Sequence, residues 1–259
     1  MPPLREPGKT AARRPPVVTY SVIALCFLVF LTGPASGLGG TDGGGGPALC
    51  AQVRYFDHWG VIPTELWHGP LAPGALGLPY GCHSPHYADK APFVSVLTAL
   101  FLHGNWLHLL GNMLFLFVFG AGVERRMGPL RFALFYLAAG YAATYGYAVA
   151  HADSTQTLVG ASGAIAGVLG GYLFLFPRAR VTSLLPFLLF LPLRFPAWLA
   201  LGFWFVLQWL AARADTPGPG VAYLAHVIGF GFGFLCAGAC FRERSKLTPQ
   251  AATRGEGQP

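Results

Sequence analysis

This sequence predicts an all-α polytopic membrane protein, a bundle of six transmembrane helices, and three observations carry that prediction. Apolar residues make up 54% of the 259 and charged ones only 10%, where soluble globular domains carry roughly 25% charged. Mean hydropathy is +0.51. The charges sit at the ends of apolar runs, as topology signals do. Counting six such runs puts both termini on one side. With that side cytoplasmic, only Arg54, Lys90 and Arg213 of the 17 Lys and Arg fall outside. The net charge of +7 is therefore read as a topology signal and not as a nucleic-acid surface.

Residues 1–16 are polar, with Arg5, Lys9, Arg13 and Arg14, and read as a disordered cytoplasmic tail. Residues 17–31 are apolar and uncharged, a run of 15 where a span usually takes about 17–25. A basic lead, a short apolar core and small residues after it also suit a secretory signal peptide. The six-helix count takes the segment as the first span of a membrane domain over 17–241. Residues 33–92 read as an outer loop, Gly-rich over 33–46 and then rich in Pro, Gly and aromatics that suit the membrane interface. Cys50 and Cys82 flank its polar part and could pair in an oxidising compartment. Cys26, Cys236 and Cys240 lie in apolar segments as small buried side chains, and the five cysteines show no metal-ligand spacing.

Residues 93–119 form the second apolar run, interrupted by His103, Asn105, His108 and Asn112, and Glu124-Arg125-Arg126 follows it. Residues 130–150 are the third span and 159–176 the fourth, after a polar loop at 151–157. Residues 181–195 are apolar but broken by Pro186, Pro192 and Arg194, and read as an interfacial or re-entrant piece. The fifth span covers 196–212, with Pro196 suited to a first helical turn. A Pro/Gly loop at 213–220 leads to the sixth, 221–241, and 242–259 read as a second disordered cytoplasmic tail.

Polar side chains inside spans are costly and often mark a site. Here they are His103, His108, Asn112, Ser162, Gln208 and His226. No Asp, Glu, Lys or Arg lies deep in a span, which disfavours a proton pump or an ion-coupled transporter. A channel along the polar cluster would have no exit through the inner half. Gly160-Ala161-Ser162-Gly163 has two readings, close helix packing or a nucleophile kept open by small neighbours. Taken alone, it favours packing. The topology, however, sets His108, Asn112, Ser162 and His226 in the outer half of the bilayer on three helices. His108 and Asn112 are four apart and share a helix face. Serine with histidine supplies a nucleophile and a base, and histidine with asparagine supplies donors for a developing oxyanion.

At these residues the sequence resembles the rhomboid intramembrane serine proteases. The matching pieces are His103-x4-His108-x3-Asn112, Gly160-x-Ser162-Gly163 and Ala225-His226-x2-Gly229-x3-Gly233, on the second, fourth and sixth runs, and the resemblance covers about residues 50–241. It implies a six-helix rhomboid-like bundle in the cell membrane, with both termini cytoplasmic and a site open to the outer face. It further implies a serine endopeptidase that cleaves transmembrane segments of membrane proteins within the lipid bilayer, without cofactor or metal. Ser162 would be the nucleophile and His226 the general base, with the Ser162 N–H, His108 and Asn112 as the oxyanion hole. His103 and the Glu124-Arg125 pair would be structural. The alternative is a catalytically inactive rhomboid-like binding or trafficking factor. Such relatives typically lose the serine or the histidine, and both are present here. Two departures stand out. The aromatic often found four residues after the serine is Ala166, which leaves open what orients His226, with Tyr172 too far along the helix to replace it. A Trp-Arg pair in the first outer loop is also absent. The fifth run and the 213–220 loop are the expected gate.

Overall fold

The computed structural model describes residues 15–37, 46–72, 82, 85, 87–185, 191–214 and 221–241. Residues 1–14 of the tail expected over 1–16, the tail expected over 242–259, residues 38–45 of the Gly-rich 33–46 and residues 215–220 of the expected gate loop lie outside the described residues.

Ten α-helices, a 3-10 turn, a π-helical turn and one pair of strands are found among the described residues. Helix α1 is Val17–Thr32, followed by a 3-10 turn at Pro34–Ser36. The outer segment contains α2 (Gly46–Trp59), the single turn α3 (Glu65–His68) and α4 (Pro92–Ala99). Helix α5 (Trp106–Phe115) runs through a π-helical turn (Leu116–Gly120) into α6 (Ala121–Met127). Gly128, at φ 83°, ends it and turns the chain into α7 (Pro129–Ala150), with proline in the first turn. Then come α8 (Ser162–Leu175), strands β1 (Arg180–Leu185) and β2 (Leu191–Pro196), α9 (Ala197–Arg213) and α10 (Tyr223–Phe241).

The run at 93–119, already interrupted by polar residues in the sequence, is not one helix. It breaks after Ala99, and the membrane helix begins only at Trp106 and continues to Met127. Asn105 makes the break: its side chain accepts the His108 N–H at 2.8 Å as an N-cap. Hydropathy does not register this because Leu100 and Leu102 in the connection are buried core residues. Around the piece expected at 181–195, β1 and β2 pair antiparallel, from Arg180 with Pro196 to Leu185 with Leu191, and residues 186–190, with Pro186, lie outside the described residues. Pro196 is the N-cap of α9 rather than part of its first turn.

Helix α8 is the central element. Ala164 through Gly171 are all buried, and α10 lies against it at backbone contact. A Cβ on Gly233 would fall 1.9 Å from the Gly167 carbonyl oxygen, one on Gly229 2.2 Å from that of Gly163, and one on Gly170 2.0 Å from that of Phe230. Small residues are what permit such an approach. Ala139 and Ala143 of α7 also meet Gly167 and Gly163. At 14 residues, α8 rises only about 21 Å, short of the roughly 30 Å hydrocarbon core of a bilayer.

Glu124 of α6, 2% exposed, accepts from the N–H groups of Val18 and Thr19 and from the Thr19 hydroxyl at 2.7–2.9 Å. A carboxylate at the positive end of α1 satisfies N–H groups the helix itself cannot. Outside, the helices are apolar: Leu107, Leu130 and Leu235 are 83%, 72% and 71% exposed, a surface that calls for an apolar medium. Trp106–Met127 and Tyr223–Phe241 are long and apolar enough to cross a membrane by length and composition, and α1, α8 and α9 are apolar but shorter.

The outer segment is folded rather than irregular. Cys50 and Cys82 form a disulfide. Lys90 and Glu65, both buried, form an ion pair, and Lys90 Nζ also donates to the Asp57 carbonyl. Val61 and Leu158 exchange backbone hydrogen bonds, and Thr157 donates to Asp57 Oδ1 at 3.0 Å. These contacts tie the outer segment to the loop that leads into α8.

Candidate active site

Gly160 precedes α8 with φ 121°, a region L-residues avoid, and its N–H donates to the Ala99 carbonyl at 2.9 Å. That bend delivers Ser162 to the first position of α8. At a helix start the N–H groups of the first turn have no partner within the helix. The Ser162 N–H therefore has no partner within α8.

His108 and Asn112, one turn apart on α5, converge on this bend. A Cβ on Gly160 would lie 2.7 Å from His108 Nε2 and 3.8 Å from Asn112 Nδ2, so only glycine leaves room for the imidazole. The Gly104 N–H donates to His108 Nδ1 at 3.4 Å. This makes Nδ1 the acceptor and leaves the proton on Nε2, the nitrogen turned towards Gly160. Asn112 Nδ2 is buried with no hydrogen-bond partner among the described residues.

His226 stands on α10, 7% exposed. Its Nδ1 is 2.7 Å from Gln208 Oε1 on α9. An amide oxygen only accepts, so Nδ1 carries the proton and the lone pair is on Nε2. Trp204, one turn before Gln208, lies along the same imidazole, with ring centroids 6.1 Å apart and planes at 29°. Tyr223 meets it edge-on at 6.3 Å.

His108, Asn112, Ser162 and His226 together line a cavity of about 350 Å³ between α5, α8, α9 and α10, whose wall also includes Ala166, Trp204 and Gln208. A second cavity of about 450 Å³, lined by Val61 of the outer segment and Leu158 of the loop before α8, also reaches His108 and Ser162. Among the described residues no hydrogen bond joins Ser162 to His226. In enzymes without substrate such contacts are often loose.

A family model described as the Rhomboid domain matches residues 90–243. The chain belongs to the rhomboid family. Rhomboid proteins are membrane proteins, and the helical architecture fits an all-α member. YdcA of Bacillus subtilis, whose name assigns it provisionally to the rhomboid proteases, is 32% identical over 129 residues, covering 49% of this chain and 59% of that protein. RHOMBOID-like protein 4 of Arabidopsis thaliana is 34% identical over 146 residues, 54% of this chain and 32% of the relative. Rhomboid protein 1, mitochondrial, of Saccharomyces cerevisiae is 31% identical over 147 residues, 55% and 40%. This rhomboid chain thus spans less than two thirds of the length of each.

His103 lies outside the cavity, in the connection before α5. It is 2% exposed, and its Nδ1 donates to the Phe101 carbonyl at 3.3 Å. Burial, and then the His108 ring 5.1 Å away, push it down to about 4, so it is neutral near pH 7. Tyr172 is turned away from His226 and packs on Phe119 at 5.0 Å. The sequence reading found Gln208 as a polar residue in an apolar helix but gave it no role. It also passed over Asn105 as a cap, although Asn ahead of an apolar helical run is a start signal.

Proposed function

We propose that this rhomboid is an intramembrane serine endopeptidase that cuts transmembrane segments of membrane proteins through a Ser162–His226 dyad. The observation that carries the reading is the unpartnered, buried Nδ2 of Asn112 beside Gly160, in one cavity with the other three residues. A buried donor left unpaired costs about 1–3 kcal/mol. Such a cost is kept where a charge develops during reaction.

His226 Nε2 takes the Ser162 Oγ proton as Oγ attacks the scissile carbonyl carbon. The carbonyl oxygen becomes an oxyanion held by Asn112 Nδ2–H, His108 Nε2–H and the Ser162 N–H. His226 then gives the proton to the departing amine, and the acyl-enzyme remains. Water, deprotonated by the same imidazole, releases the acid and restores the serine. The dyad has no carboxylate. A helical substrate hides its carbonyls in its own hydrogen bonds, so it must unwind locally, which favours helix-weakening residues near the cut. Substrate enters between α5 and α9, where Leu107, Phe115 and Trp204 border the cavity. Water enters through the cavity lined by Val61 and Leu158.

In this reading α1, the helix from Trp106 to Met127, α7, α8, α9 and α10 are six crossings, with both termini cytoplasmic and the site opening outward in the cell membrane. The Cys50–Cys82 disulfide agrees with an oxidising outer side. A fluorophosphonate probe should label the wild-type protein and fail to label Ser162→Ala. Labelling that survives that substitution, or cleavage of a single-span substrate that survives His226→Ala, rules the dyad out.

A further inference from the structure

In a serine–histidine dyad the imidazole needs an orienting partner, because only one tautomer presents a lone pair to the serine. Helix α8 does not supply it: beyond Ser162 it offers the cavity only the aliphatic side chains of Ile165, Ala166 and Leu169. The ring is instead engaged from α9. Gln208 and Trp204 are four apart, hence on one helix face. The first holds the edge of the imidazole at 2.7 Å and the second lies alongside it, with ring centroids 6.1 Å apart. An amide in an apolar membrane helix is costly unless bonded, and this one spends its oxygen on the histidine.

We propose that Gln208 is the positioning residue of the dyad. Its Oε1 accepts the Nδ1–H of His226 and thereby leaves the Nε2 lone pair available to Ser162. The inference rests on the dyad reading. Nδ1–H is present both before and after Nε2 takes the serine proton, so the same bond holds the ring through both half-reactions. The neutral amide does for orientation what a carboxylate does in a triad, without placing a charge in the membrane. It also makes α9, which borders the substrate path, the element that sets the state of the base.

The test uses the full-length protein in bilayers, with a fluorophosphonate probe and a single-span substrate. Gln208→Met keeps the size and removes the acceptor, whereas Gln208→Glu keeps an acceptor. We expect Gln208→Met to lower the acylation rate and kcat roughly 10- to 100-fold, a part of the 10²–10⁴ that general base catalysis supplies, with KM and thermal midpoint unchanged. Gln208→Glu should retain most of the activity. A 15N spectrum of histidine-labelled protein, assigned by difference from His226→Ala, should show the Nδ1–H tautomer in wild type and a mixture in Gln208→Met. Wild-type rates and an unchanged tautomer in Gln208→Met overturn the inference and leave the dyad standing. Equal losses in both variants also overturn it, since a packing role would not distinguish them. If the wild type itself is not labelled, the dyad reading falls and this inference with it.

Discussion

Asn112 carries its Nδ2 group buried and unpartnered, and the fold would be better off without it. Replacing it with leucine, similar in size and without donors, removes the desolvation cost of an unsatisfied group. Asn112→Leu is therefore expected to melt at the wild-type temperature or above it. Its acylation rate should nevertheless fall about 10²–10³-fold, as when one oxyanion donor is lost. Thermal melts and probe labelling on the same preparation check both halves, and a variant that loses stability and activity together would point to a structural amide instead. The pairing of His108 with Asn112 is legible in the sequence because positions four apart on a helix share a face. Their aim is not legible. It depends on the positive φ of Gly160 and on Gly104 donating to His108 Nδ1, and both are settled by backbone from elsewhere in the chain.

Among the elements, α8 and α10 are joined by backbone contact, and their glycines are not equivalent. A Cβ on Gly233 would lie 1.9 Å from a carbonyl oxygen, while one on Gly231 of the same helix would meet nothing within 4 Å. Gly231→Ala should be neutral or stabilising by up to about 1 kcal/mol, since alanine is the better helix former. Gly233→Ala must push the two helices apart, and overpacking of this kind costs about 1–3 kcal/mol or more. Because α8 bears Ser162 and α10 bears His226, that displacement also separates the nucleophile from the base. Gly233→Ala should thus lose acylation well below its own melting temperature, and comparing the two alanine variants by melting and labelling tests this. Close packing around Gly160-Ala161-Ser162-Gly163 was readable from its small residues. The break at residues 100–105 was not, because Leu100 and Leu102 are as apolar as a span while Asn105, a polar residue within the run, acts as a cap. Nor could the apolar pattern give a role to Gln208, whose partner lies 18 residues away on the next helix.

At the scale of the whole molecule, the outer segment and the membrane helices form one mechanical unit joined at the loop before α8. The Cys50–Cys82 bridge closes 32 residues of sequence, which restricts the unfolded outer segment by about 3–4 kcal/mol in the loop-entropy account. Cysteine positions alone left that pairing open, because two thiols so far apart in sequence say nothing of their geometry. What the bridge protects is read from the contacts beyond it. The segment it closes includes Asp57, which takes the Thr157 hydroxyl, and Val61, which pairs with Leu158. From Leu158 the chain passes through Val159 to the Gly160 bend and Ser162. Reducing the bridge, or replacing both cysteines with serine, is expected to raise protease sensitivity within residues 46–72 and to lower the temperature at which acylation fails, while the membrane helices still melt as before. The free cysteines Cys236 and Cys240 lie on α10, away from that segment, so their serine variants should change neither quantity. If breaking the bridge loosens the outer segment and acylation keeps its full temperature range, the Val61–Leu158 and Asp57–Thr157 contacts do not hold the serine bend, and the Gly160–Ala99 hydrogen bond to the end of α4, outside the bridged loop, is what holds it.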